Sequence, residues 1–146
     1  MRLEGKTAVV IGAGQSPGEG MGNGRATALR FTQEGAKVMA VDRDLRSAEE
    51  TASMVKQSGG ECVAFEADVT MERTLIAAIA AAEQRWGRID ILHYNVGVSI
   101  AGGEAPLLSF TEAAFDRISA INLRGAIMRA NTSFRSCAGS APVPSP

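Results

Sequence analysis

Residues 6–24 read Lys6-Thr7-Ala8-Val9-Val10-Ile11-Gly12-Ala13-Gly14-Gln15-Ser16-Pro17-Gly18-Glu19-Gly20-Met21-Gly22-Asn23-Gly24. The first part, Lys6 to Ile11, is short, β-branched and nearly all apolar, which suits a strand buried on both faces. It stops at Gly12, and glycines then recur at positions 14, 18, 20, 22 and 24. From Asn23 to Glu34 the residues Arg25-Ala26-Thr27-Ala28-Leu29-Arg30-Phe31 favour helix, with Gly35 placed as a left-handed C-terminal stop. A glycine turn between a buried strand and a helix lets the backbone bend sharply and approach an anionic diphosphate, whose charge meets the helix's N-terminal amides. No Gly-Lys-Ser/Thr follows, which argues against a nucleoside-triphosphate P-loop.

Outward from this unit the pattern repeats. Lys37 to Val41 reads as a second strand. Leu45, Ala48, Ala52 and Val55 mark an amphipathic helix ended by Gly59-Gly60. Cys62 to Phe65 is a third strand. Leu75, Ile76, Ile79, Ala82 and Trp86 share one side of a third helix, with Thr70 as N-cap and Gly87 as stop. Ile89 to Tyr94 is a fourth strand. After a Gly/Pro loop, Thr111-Glu112 opens a helix with Phe115, Ile118 and Asn122 on one face. Strands alternating with helices imply an α/β, Rossmann-like doubly wound parallel sheet with right-handed crossovers and strand order 3-2-1-4.

Composition agrees with a single soluble domain. The chain has 146 residues, 45% hydrophobic and 21% charged, with a formal net charge of −1. That balance disfavours disorder, collagen and a basic nucleic-acid-binding domain, so no nucleic-acid partner is expected. The longest strictly apolar run, Leu75 to Ala82, is far below the roughly 18 residues a membrane span needs, so no membrane partner is expected either. The opening residues lack the pattern of a signal peptide, and a cytoplasmic location is the expectation. Cys62 and Cys137 have no metal-ligand spacing, so free thiols are expected and no metal site.

Asp42 stands directly after the second strand. A carboxylate there accepts hydrogen bonds from both ribose hydroxyls of an adenosine and repels an added 2′-phosphate, so NAD is favoured over NADP, with Arg43 able to soften the discrimination. Gly12 to Gly24, Asp42, Asp68-Val69, Asn95-Val96-Gly97 and Ile121-Asn122-Leu123 together resemble the ordered N-terminal motifs of the short-chain dehydrogenase/reductase family. The resemblance covers roughly residues 5 to 130. It implies an NAD-dependent oxidoreductase that moves hydride between alcohol and carbonyl groups, working as a homo-oligomer on a small-molecule substrate that the sequence does not identify. The resemblance matches Gly22 and Gly24 to the last two glycines of Gly-x-x-x-Gly-x-Gly. Nine residues separate Gly12 from Gly22 where the family has three, so the loop is longer by six. It further implies that Gly12, Gly14, Gly22 and Gly24 line the coenzyme, that Asp68 holds the adenine amino group and that Val69 flanks the ring. Gly97 then permits close backbone approach, Asn95 ties neighbouring strands, and Asn122 helps hold a proton-relay water. On the residues alone, Asp68 reads as a turn or helix cap, and Asn95 stands open between a structural role and a place in the coenzyme or catalytic site.

The family's chemistry also uses a Ser and a Tyr-x-x-x-Lys pair, in which lysine lowers the tyrosine pKa towards working pH. Tyr94 is the one tyrosine, Val98 lies four places on, and Lys56 is the last lysine. The expectation is therefore a Rossmann domain over residues 1–130 that is truncated and catalytically incomplete, followed by a non-native-looking, disordered tail over 131–146. One permitted set of codons for residues 131–146, read from its third base, spells a sequence resembling the family's continuation, so a reading-frame shift near Ala130 is the hypothesis. An incomplete sheet leaves the fourth strand as an apolar edge, and marginal solubility follows. Two other readings stand beside this one. The first is a non-catalytic dinucleotide-binding or regulatory subunit; the second is an S-adenosylmethionine-dependent methyltransferase, against which Asn23-Gly24-Arg25-Ala26 and Asn95-Val96-Gly97 tell.

Overall fold

The computed structural model describes residues 1–16, 18 and 20–128. The proposed tail and the frame-shift hypothesis lie outside these residues. Four strands, β1 (Thr7–Ile11), β2 (Lys37–Asp42), β3 (Cys62–Glu66) and β4 (Ile91–Tyr94), alternate with helices α1 (Asn23–Gln33), α2 (Leu45–Gln57), α3 (Glu72–Trp86) and α4 (Glu112–Ser119). All strand pairs are parallel and the order is β3-β2-β1-β4. The doubly wound α/β sheet read from the sequence is thus the observed fold.

Alternation along the central strands explains why they read as continuous apolar runs. Ala8, Val10, Val38 and Ala40 face one side of the sheet and pack with Ala28, Ala52 and Val55 of α1 and α2. Val9, Ile11, Met39 and Val41 face the other side and pack with Leu75, Ala78, Ile79 and Ala82 of α3. Both faces are covered by helices, so apolar residues stand on each side of these strands. β1 is one of the two interior strands, and all five of its residues are buried. β4 pairs with β1 on one side, and no other strand borders it among the described residues.

Several local expectations change, among them Ile76, which is 47% exposed rather than on the packed side of α3. Thr70 does not cap α3: the N-cap is Met71, without a side-chain cap bond. Instead Asp68 Oδ1 accepts from Thr70 N and Oγ1 at 2.8 and 2.7 Å, and Thr74 Oγ1 donates to Asp68 O, so the turn is closed by the residue two positions earlier. The fourth helix does not run straight through Asn122, because a π-helical turn, Ala120–Arg124, interrupts it. Phe115, expected on a packed face with Ile118 and Asn122, is 59% exposed, whereas Ala114 and Ile121 are the buried positions.

Candidate dinucleotide site

Parallel pairing forces the chemistry to one end of the sheet. Ile11 at the end of β1 registers with Val41 of β2 and with Tyr94, the last residue of β4, and Asp42 registers with Glu66 of β3. Gly12, Asp42, Asp68 and Asn95 therefore all leave the carboxyl ends of their strands within one crevice, the usual ligand position in an open α/β sheet.

The glycine turn is built for closeness. Gly12 has φ +80°, and a Cβ there would stand 2.6 Å from the Asn95 carbonyl oxygen. Glycine is needed on both counts. Asn95 continues the parallel ladder by donating its amide to Ile11 O at 2.8 Å, and its side-chain nitrogen points at Gly12 O from 3.5 Å. Gly24, buried in the first turn of α1, packs on Gly12. Gly22 is the helix N-cap, in extended conformation with φ −65° and ψ 146°.

Asp42 closes the other side of the turn. Its Oδ2 accepts the Gly14 amide at 2.9 Å and its Oδ1 accepts the Asp44 amide at 3.1 Å. A side chain on Gly14 would collide with this carboxylate at 2.7 Å. Each carboxylate oxygen has a further lone-pair direction available after accepting one such bond. The carboxylate is half-buried and held from two sides, so its position is fixed before any ligand arrives.

The remaining candidates divide between loops and helix. Asp68 organises the turn into α3, as described, and is half-buried at the crevice edge. Val69 is half-buried and packs against the α3-side core, and a Cβ on Gly125 would meet it at 3.2 Å. Gly97 is exposed and its nearest neighbour for an added Cβ is Asn122 Oδ1 at 3.7 Å, so no steric need for glycine arises there. Asn122 is the residue expected on one helix face with Phe115 and Ile118. It is exposed, and its carboxamide makes a reciprocal pair with the loop after β4, accepting from Val98 N at 2.8 Å and donating to Val98 O at 2.9 Å. The Tyr94 hydroxyl donates to Ile121 O within the π turn. Asn122 and Tyr94 thereby lash the interrupted helix to β4 and its following loop.

Four residues to which the sequence assigned no binding role shape the site. Thr51 Oγ1 is buried and donates to Ala13 O at 2.8 Å. Ser47 Oγ accepts the Gln15 amide at 2.6 Å. Arg25 reaches from α1 to α2, with Nε donating to Thr51 Oγ1 at 2.9 Å and Nη2 paired with Glu50 at 3.2 Å. Gln15 bridges the glycine loop through its side chain. None of the four carries a sequence signal beyond helical spacing, since Ser47 and Thr51 are four apart on the α2 face that meets the loop.

The family model for short chain dehydrogenases matches residues 6–140. Levodione reductase of Leifsonia aquatica is 39% identical over 113 residues, 76% of this chain and 42% of that protein. Sorbitol dehydrogenase of Cereibacter sphaeroides is 35% identical over 127 residues, 87% of this chain and 45% of that protein. Among solved structures, hydroxysteroid dehydrogenase from Escherichia coli superposes with a TM-score of 0.80 at 30% identity, covering 90% of this chain and 52% of that one. The chain spans about half the length of the relatives it matches. Sequence motifs, strand order and these likenesses agree: the chain belongs to the short-chain dehydrogenase family, whose members bind nicotinamide dinucleotides.

Proposed function

We propose that these residues form the coenzyme-binding part of an oxidoreductase that moves hydride between alcohol and carbonyl carbons, and that the coenzyme is NAD(H) rather than NADP(H). The observation that carries this reading is Asp42. Its carboxylate is held by the Gly14 and Asp44 amides at the end of β2, beside the glycine turn. The residues present fit an adenine dinucleotide on this ground: lone pairs remain for a ribose diol, while a 2′-phosphate would meet a fixed negative charge. The close packing of Gly24 on Gly12 brings the N-terminus of α1 to the end of β1, where its amides favour an anionic diphosphate.

When bound, the nicotinamide supplies the hydride donor or acceptor. The protein's own contribution in these 146 residues is binding and orientation. Asp42 orients the adenosine, the turn from Gly12 to Gly24 receives the diphosphate, and Asn122 holds the loop at Val98 beside the carboxyl end of β4. Proton transfer is not supplied here, because the hydroxyl of Tyr94 is committed to Ile121 O and no Tyr-x-x-x-Lys occurs. We assign the protein a homo-oligomeric state and a cytoplasmic location. Among the described residues no helix is long and apolar enough to cross a membrane. Family membership removes the methyltransferase alternative.

Fluorescence titration with NADH and NADPH tests the reading. NADH is expected to bind at least tenfold more tightly, about 1.4 kcal/mol, and Asp42→Ala to abolish most of that preference. Equal affinity for the two coenzymes in the unmodified chain refutes the NAD assignment, and binding of neither refutes the coenzyme reading.

A further inference from the structure

Gln15 lies where the glycine loop departs from the shorter family spacing, and its side chain bonds to both limbs of that loop. Oε1 accepts the Gly22 amide at 2.6 Å, while Nε2 donates to Gly20 O at 2.7 Å and to Ser16 O at 2.9 Å. The chemistry fixes the orientation of the amide: two carbonyls demand the NH2 group and one N–H demands the oxygen. The Gln15 main chain is held as well, its amide donating to Ser47 Oγ on α2 at 2.6 Å. One residue thus ties the exit of the loop, at the N-cap of α1, to the α2 helix that follows Asp42.

A loop lengthened by six residues has more conformations to lose before Gly22 and α1 stand in one place. Charge stabilisation at a helix N-terminus depends on amides already aimed at the ligand, because ordering them at the moment of binding is subtracted from affinity. The three side-chain bonds of Gln15 do that ordering in the ligand-free chain.

We propose that Gln15 is a positioning residue for the diphosphate of the dinucleotide, holding Gly22 and the start of α1 in place so that the long loop serves as the short one does in the family pattern. This rests on the coenzyme reading above. Gln15 acts through Gly22 and α1, whereas Asp42 acts on the adenosine end, so the two ends of the ligand report separately.

The test compares the whole chain with Gln15→Met, which keeps the length of the side chain and removes its hydrogen bonds. Adenosine, ADP and NADH are titrated by calorimetry, and exchange of the Gly22 amide is followed by NMR without ligand. The expected result is a tenfold or larger loss of affinity for ADP and NADH, adenosine affinity within twofold of the original, a melting temperature lowered by no more than about 8 °C and faster exchange at Gly22. ADP affinity unchanged while Gly22 exchange accelerates overturns the inference and leaves the coenzyme reading standing. Equal losses for adenosine and ADP overturn it too, since they assign Gln15 a general structural role. An original chain that binds neither ADP nor NADH overturns the coenzyme reading and this inference with it.

Discussion

Gly24, in the first turn of α1, packs so closely on Gly12 that a Cβ at position 24 would stand 1.8 Å from the Gly12 carbonyl oxygen and 3.0 Å from Asn95 Nδ2. The colliding atom is backbone, at the end of an interior strand of the sheet, so it has no rotamer with which to yield. Gly24→Ala is therefore expected to push α1 off β1 and lower stability by about 3 kcal/mol or more. Urea unfolding followed by circular dichroism measures this. A midpoint equal to that of the original chain would show that the helix is free to slide at no cost.

The reciprocal bonds between Asn122 and Val98 lead to a second prediction. Both groups are near solvent, so water replaces the lost partners and Asn122→Ala is expected to cost only about 1 kcal/mol. The local effect is larger than the global one. Amide exchange at Val98 should accelerate severalfold in the variant, while amides of β1, buried throughout, keep their protection. Unchanged exchange at Val98 would mean that the loop after β4 is held by something other than this carboxamide.

The parts of the fold that were legible are those in which a repeating period carries the signal. Strands buried on both faces gave unbroken apolar runs, the helices gave three- and four-residue spacing, and parallel order followed from their alternation. The glycine turn and Asp42 were legible because close approach and strand-end charge have few alternative residue types. Gln15 was not, since a glutamine in a polar loop has no period and its partners are main-chain atoms up to seven residues away. Asn122 was placed on the expected helix, but straight 3.6-residue geometry turned it towards a packed face. The π turn over Ala120–Arg124 exposes it to the Val98 loop instead, and a one-residue change in winding leaves no mark in hydrophobic periodicity. Thr70 failed as a cap because Asp68, two residues earlier, captured its amide and hydroxyl.

Cys62 opens β3 and is almost fully buried. Burial pushes its thiol up to about 11, outweighing the opposing pull of nearby amides and of Lys56. A rise from 9.0 to about 11 lowers the thiolate fraction near pH 8 about a hundredfold, before any loss from restricted access. In a Cys137→Ser background, iodoacetamide labelling at pH 8 is expected to be at least that much slower than labelling of a small free thiol, and to become fast across the urea transition. Rapid labelling of the folded chain would place Cys62 at an accessible edge and contradict the packing of β3 against α2.

Asp90 starts the pairing of β4 with β1 through both its main chain and its side chain. Its amide donates to Thr7 O at 2.9 Å and its Oδ2 accepts the Thr7 amide at 2.9 Å, while Oδ1 meets Arg88 and, at 3.5 Å, Lys6 Nζ. Burial by itself would raise the carboxyl. The Thr7 amide, the bond and charge of Arg88 and the charge of Lys6 outweigh it, and the net shift is below the ordinary 3.8. A carboxyl lowered on folding contributes stability above its unfolded value, and that contribution disappears as pH falls through the folded value. The charge at Asp90 therefore supports the β1–β4 junction at neutral pH, and that support is lost as pH falls below the ordinary carboxyl range and through the lowered folded value. Asp90→Asn, which does not titrate, is expected to be less stable than the original chain by the same margin at pH 7 and pH 5, with the gap narrower at pH 3 because the loss begins below the ordinary 3.8. Urea midpoints of both chains at those three pH values measure it, and a gap as wide at pH 3 as at pH 7 would assign the effect of the substitution to lost hydrogen-bond geometry rather than to charge.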